Sequence, residues 1–219
     1  MNEDFKLLEQ VSLFKGIDSA DMSNIIKCLD GKVKEYHRNQ LIIRVGDEIT
    51  SLGIVLAGKV QVIREDIRGN RMIVAGLEGG EVFGETFACA AVEASPVSVL
   101  ASEACKILWI PIEQIVSTCS STCSFHSRLI MNLLQLLARK NLYLNNKMEL
   151  LSKRSTRDKI MAYLFSQAEQ HKVSSFEIPL NRNELADYLC IDRSAMSREL
   201  SKLREEAVIV YRKNYFKIL

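Results

Sequence analysis

Apolar residues recur with three different periods along this chain. From about Ile17 to Ile115 they form short runs, QLIIRV, SLGIVL, KVQVIRE, RMIVAGL, VSVLA and CKILWI. The runs are broken at Gly46-Asp47, Gly53, Gly58, Arg68-Gly69-Asn70, Gly79-Gly80 and Gly84, which predicts a compact antiparallel barrel or roll. Arg68-Gly69-Asn70 is the best hairpin candidate. Ahead of most of these runs, DSADMSNIIKCL has helical spacing behind Asp18 or Ser19 as a cap, so a small helix is expected against the roll. From about Ser124 to Lys153 the period lengthens. Ile130, Leu137, Leu144 and Leu151 repeat every seven residues, and Leu134, Asn141 and Met148 form a second row with the same repeat. That is the pattern of a short parallel coiled-coil seam, although a core helix within one chain also fits so few heptads.

The last third returns to the short helical period. LSKRSTRDKIMAYLFSQAEQHK predicts a helix ending near His171, and SSFEIPL a short strand. Asn181 with Glu184 three residues on makes a capping box for a helix that buries Leu185, Ala186 and Leu189. Cys190 and Ile191 then form a tight turn. Asp192 caps a second helix whose inward stripe is Ala195, Met196, Leu200 and Leu203. AVIVYRKNYFKIL reads as two strands around a basic tip, a wing. The polar face of the second helix carries Arg193, Ser194, Ser197, Arg198 and Lys202 near its start. A recognition helix presents side chains to duplex DNA from that position, and arginine can pair two acceptors on guanine. Arg212 and Lys213 at the wing tip are the expected phosphate-backbone contacts, holding the helix in register without reading sequence, and Arg182 is expected among the DNA-binding residues.

Composition localises this signal. The whole chain carries a formal charge of +2, but residues 152–219 hold 13 Lys and Arg against 9 Asp and Glu, so the basic excess sits in the winged segment. MNEDFKLLEQ is polar and amphipathic rather than a leader, no apolar run has membrane-spanning length, and six unpaired-looking cysteines fit a reducing compartment; a cytoplasmic protein is expected. The division expected is an α+β chain with a sensing roll over residues 1–120, a dimerisation helix over 121–151 and a winged helix-turn-helix over 152–219.

Taken in order, LFKGIDSADM, Gly46-Asp47, AGKVQVI, GGEVFGE, the heptad helix running into LSKRSTRDKI, and NRNELADYLCIDRSAMSREL resemble the CRP/FNR family of bacterial transcription regulators over essentially the whole chain. That resemblance implies a cyclic-nucleotide-binding-type double-stranded roll of jelly-roll kind, a homodimer on a palindromic operator, and RNA polymerase as a partner. It places Arg193, Ser194, Ser197 and Arg198 at base-reading positions. It also marks a departure. Members that bind cyclic AMP follow the roll's Gly-Glu with an arginine and a small hydroxyl residue that hold the phosphate, whereas this chain has Ser95 and Pro96 there.

The charge count gives the same answer independently. No Lys or Arg lies between Arg71 and Lys106, while Glu78, Glu81, Glu85, Glu93 and Glu103 do. A buried phosphate would lack a cationic partner, so cyclic AMP or cyclic GMP is not the expected effector. The expected pocket, around Phe83, Gly84, Glu85, Thr86, Phe87, Cys89, Ser95 and Val97, suits a neutral, aromatic or cationic ligand of unknown identity, or is simply filled by side chains. The sequence assigns no cofactor. No cysteine precedes Cys28 to hold an iron-sulfur cluster in the manner of the family's oxygen sensors. Cys119, Cys123 and His126 have helical spacing for a metal or redox site but lack a fourth ligand, and helix-entry packing explains them as well. Three histidines and the lack of catalytic motifs argue against an enzyme. A ligand-binding scaffold that has lost DNA binding is the remaining rival.

Overall fold

The computed structural model describes residues 2–65, 71–117 and 124–219. These form two compact units, residues 1–138 and 139–219, and one long helix runs from the first into the second.

In the first unit, helices α1 (Asn2–Gln10) and α2 (Ser19–Cys28) precede strands β1 (Lys32–Tyr36), β2 (Leu41–Ile43), β3 (Ser51–Ala57), β4 (Val60–Glu65), β5 (Arg71–Leu77) and β6 (Val82–Phe83). A short helix α3 (Glu85–Cys89), strands β7 (Ser98–Ala101) and β8 (Cys105–Pro111), and helix α4 (Ile112–Val116) follow. The strands make two antiparallel four-stranded sheets, in the orders β1-β8-β3-β6 and β2-β7-β4-β5, which close the expected roll. Glu65 stands opposite Arg71 where β4 pairs with β5; the Arg68-Gly69-Asn70 hairpin candidate between them lies outside the described residues. Asp18 occupies the N-cap position of α2, as expected, but its side chain makes no capping hydrogen bond.

Alternation along the first sheet gives it two apolar faces. Leu52, Ile54, Leu56, Leu108 and Ile110 pack with Met22 and Ile25 of α2 and with Leu129, Leu133 and Leu136 of helix α5 (Ser124–Ser152). Val55, Cys105 and Ile107 point the other way and meet Ile43, Val60, Val99 and Ala101 of the second sheet inside the roll. Gly58 makes the β3–β4 turn possible: its φ is +76°, and a Cβ there would stand 2.1 Å from the Ala104 carbonyl oxygen. The segment after α1 is fastened by buried Asn132 of α5, whose Nδ2 donates to the carbonyls of Leu13 (2.8 Å) and Lys15 (2.9 Å).

The second unit holds the end of α5, helix α6 (Thr156–His171), strand β9 (Ser175–Glu177), helices α7 (Arg182–Leu189) and α8 (Arg193–Glu205), and strands β10 (Ile209–Arg212) and β11 (Tyr215–Ile218). Its sheet runs β10-β11-β9. Ile160 and Leu164, Leu185 and Leu189, Met196, Leu200 and Leu203, and Phe216 meet in one core. Ser155 caps α6 by accepting from the Asp158 amide at 3.0 Å. Among the described residues no helix is long and apolar enough to cross a membrane.

Candidate nucleic-acid interface

The helix-turn-helix is fixed at each end by the residues that announced it. Asn181 Oδ1 accepts from the amides of Asn183 (2.9 Å) and Glu184 (3.1 Å), while Glu184 Oε2 accepts from the Asn181 amide at 2.7 Å, completing the capping box. At the other end of α7 the chain turns through left-handed Cys190, with φ of +49°. The last carbonyls of α7 are satisfied by lysines. Lys147 Nζ donates to the Tyr188 carbonyl and Lys159 Nζ to that of Leu189 at 3.3 Å, placing cations where the helix dipole is negative.

Helix α8 starts at Asp192, whose Oδ1 accepts from the Ala195 amide at 2.9 Å and from Ser194 Oγ at 2.5 Å. The Ser194 hydroxyl, then that amide and the nearby Arg198 charge, hold the Asp192 carboxyl below its ordinary range. Ser194 has given its proton to the cap, so it offers outward only acceptor lone pairs. Met196, Leu200 and Leu203 are buried, which leaves Arg193, Ser194, Ser197, Arg198 and Lys202 exposed along one side. Ser197, Arg198, Ser201, Lys202 and Glu205 line a shallow groove on that surface. The helix is braced from behind by Arg157 of α6, which bridges Glu206 at 2.6 Å and Glu199 at 3.5 Å.

The wing carries exposed Arg212 and Lys213 at its tip, with Lys213 in the left-handed region at φ of +51°. Arg182, expected among the DNA-binding residues, is half-buried and engaged with the wing. Its Nη2 donates to the Lys213 carbonyl at 2.7 Å, and its guanidinium lies 4.8 Å from the Phe216 ring centre and 5.1 Å from that of Tyr211. Burial lowers its pKa from the ordinary arginine value. Sequence spacing had no means of showing that the arginine after a cap residue would fold back under the wing.

The residues expected around an effector divide. Phe83, Glu85, Ser95 and Val97 are buried, whereas Thr86 and Cys89 are exposed. Gly84, at φ of +78°, is the N-cap of α3, and Phe87 is half-buried on that helix. The Phe83 ring covers Gly53 so closely that a Cβ there would lie 2.5 Å from it, and it meets Trp109 edge to face at 5.4 Å. Thr86 Oγ1 donates to Glu85 Oε1 at 3.1 Å. Ser95 Oγ donates to the Val97 carbonyl at 2.7 Å, and Ser95 pairs through its backbone with Gly46 and Asp47. Burial, then the Glu85 charge, pushes the Cys89 thiol up, away from the reactive thiolate. Of the metal or redox alternative, Cys119 and Cys123 lie outside the described residues. His126 is buried, stacked on Phe125, with Nε2 3.2 Å from the Gln114 carbonyl oxygen.

Along α5 the expected seam residues also divide. Ile130, Leu137 and Leu151 are half-buried, while Asn141 and 55% of Leu134, 62% of Leu144 and 67% of Met148 are exposed.

Comparison with known proteins agrees with these two units. Residues 33–122 match the cyclic nucleotide-binding domain family and residues 158–219 the Crp-like helix-turn-helix domain family. No curated protein sequence matches significantly. Among solved structures, the Thermus thermophilus catabolite activator protein is 24% identical, with 95% of this chain and 93% of that one covered and a TM-score of 0.56. The c-di-GMP-responsive global regulator CLP of Xanthomonas campestris is 18% identical, with 92% and 99% covered and a TM-score of 0.57. CprK complexed with OCPA is 15% identical, with 90% of each chain covered and a TM-score of 0.64. With a cyclic-nucleotide-binding-type roll, a long helix and a winged helix-turn-helix following one another in that order, the chain belongs to the CRP/FNR family of transcription regulators.

Proposed function

We propose that the protein is a homodimeric, sequence-specific DNA-binding regulator of transcription. In this reading its roll senses a small molecule, and the response of α5 sets the spacing of two α8 helices on a palindromic operator. The single observation that carries it is the exposed side of α8. Arg193, Ser197, Arg198 and Lys202 stand exposed on a helix whose Met196, Leu200 and Leu203 are committed to the core, and the wing of the same unit carries exposed Arg212 and Lys213. Dimerisation through α5 is supported by the outward Leu134, Asn141, Leu144 and Met148. Apolar side chains left that exposed on a helix lose contact with water when they pack on a second copy. A signal changes DNA affinity if it binds one packing of the paired helices better than another.

The effector in this reading is not cyclic AMP or cyclic GMP, because the segment from residue 72 to 105 offers a phosphate no cation and Ser95 and Pro96 replace the arginine and hydroxyl clamp. The protein acts without catalysing a reaction, works in the cytoplasm, and meets RNA polymerase when bound to its operator. Substituting Arg198→Ala tests the central assignment. It is expected to weaken operator binding by roughly 1–3 kcal/mol in a mobility-shift titration if Arg198 reads a base, with little change on unrelated DNA. Operator binding unchanged by Arg198→Ala refutes the base-reading role, and binding by the parent protein that does not weaken with salt refutes the DNA-binding reading itself.

A further inference from the structure

Strand β1 is inverted relative to the sheet it joins. Its residues Lys32, Lys34 and Tyr36 stand opposite Trp109, Ile107 and Cys105, so they share the face that looks into the roll, and Val33 stands on the other face, 49% exposed. Two ammonium groups and a phenol therefore occupy the side where the neighbouring strands place core residues. They border a groove of about 320 Å³, at the small end for ligand sites.

Its lining combines an apolar wall with two uncommitted opposite charges. Tyr36, Trp109, Ile42, Ile43 and Ile49 form the wall. Trp109 Nε1 donates to the Tyr36 hydroxyl at 3.0 Å, which leaves that hydroxyl's own proton to donate into the groove. Lys32 is paired with Asp30 at 2.8 Å, and Asp47 Oδ2 accepts from the Arg44 amide at 2.8 Å. Among the described residues, the side chains of Lys34 and Glu48 make no ion pair or hydrogen bond. A simple anion would face the carboxylates, and a simple cation the lysines. A molecule carrying both charges on a short spacing, with a hydrocarbon or aromatic branch, answers the whole lining.

We propose that this groove binds a zwitterionic amino acid with an apolar side chain, its carboxylate toward Lys34 and the Tyr36 hydroxyl, its ammonium toward Glu48, and its side chain against Trp109 and the isoleucines. This inference rests on the reading of the roll as the sensor and names the class of molecule sensed. The bound side chain would touch Trp109, which meets Phe83 edge to face, and Phe83 directly precedes the Gly84 cap of α3. The site is therefore joined to the segment on which the expected effector residues lie.

Trp109 is the chain's one tryptophan, so its emission reports the groove directly in the full-length protein. L-Phenylalanine and L-leucine, titrated without DNA, are expected to change that emission saturably. 3-Phenylpropionate, lacking the ammonium, and phenethylamine, lacking the carboxylate, are each expected to bind about tenfold or more weakly than L-phenylalanine. Lys34→Gln and Glu48→Gln, both at exposed positions, are expected to lose binding to a similar degree while keeping the parent melting temperature. No saturable change with any apolar amino acid up to about 10 mM overturns the proposal, as does equal binding of the zwitterion and its two half-analogues. The sensor reading is tested separately by mobility shift. Saturable emission changes with operator affinity unmoved sustain the site and refute its control of DNA binding; intact operator binding with no ligand response refutes the site alone.

Discussion

Arg182 gives the sharpest separation between a residue that touches DNA and one that holds the wing in place. Replacing it with alanine removes the 2.7 Å bond to the Lys213 carbonyl and the contacts with the Phe216 and Tyr211 rings. A charged hydrogen bond contributes about 1.5–3 kcal/mol. A guanidinium over an aromatic face contributes about 0.5–2 kcal/mol according to its desolvation. Because Arg182 is only half-buried, both stand near their lower limits, and the sum is about 2 kcal/mol. In a unit the size of residues 139–219 that corresponds to a fall in melting temperature of roughly 8–16 °C. Arg182→Lys keeps a donor for the Lys213 carbonyl but not the flat contact with the rings, so it is expected to recover about half of the loss. Calorimetry on the full chain, with and without each substitution, reads these values. A melting temperature unchanged by Arg182→Ala, together with a salt dependence of DNA binding reduced by about 0.9 in log–log slope, places the guanidinium on a phosphate and refutes the positioning role.

Asn132→Ala strands two carbonyls in the first unit, and a loss of about 2–3 kcal/mol is expected in urea unfolding of that unit; a loss below about 0.5 kcal/mol would mean that water replaces the amide. If the chain pairs through α5 as proposed, Leu144→Asp is expected to leave it monomeric in light scattering and to abolish tight operator binding, whereas Asn141→Leu is expected to keep association but broaden the oligomeric state; a parent dimer untouched by Leu144→Asp rules out the α5 seam. Asp192 and Glu206 both have carboxyls held below the ordinary range, by the Ser194 hydroxyl and by Arg157 respectively. A depressed carboxyl stabilises the fold above its unfolded pKa, and that contribution disappears as pH falls from about 4 through the folded values. The melting temperature of the second unit is therefore expected to drop in that acid range, and Asp192→Asn combined with Glu206→Gln to flatten the drop; an acid limb of unchanged slope refutes the assignment.

The parts of this fold legible in the sequence are those where local chemistry and long-range packing demand the same residues. Asn181 and Glu184 satisfy each other's backbone within four residues, Asp192 caps its own helix, and the stripe of Met196, Leu200 and Leu203 needs only the helical period to be seen. The roll's longer strands showed themselves because β3 and β8 are apolar enough for two cores. Strand β1 is not legible because KVKEY puts its lysines on the inner face and its valine on the outer, so alternation points at no core, and two-residue β6 is too short to alternate at all.

The two asparagines of α5 show the same limit from another side. Asn141 falls on a heptad row and was noticeable for breaking it. Asn132 lies off both rows, where the heptad pattern assigns it nothing, and its partners, Leu13 and Lys15, stand 119 and 117 positions away. Arg182 shows the limit from a third side: a basic residue reads outward from local spacing, and its bond to the Lys213 carbonyl and its contact with two rings come from a remote part of the chain. In each case the local pattern showed that a polar group was present, but a contact from a remote part of the chain decided what it does. The inverted face of β1 belongs to this class as well. Its lysines make physical sense only once Trp109 and the isoleucines are placed beside them, because that juxtaposition, and not the alternation of KVKEY, gives the groove both charge and an apolar wall.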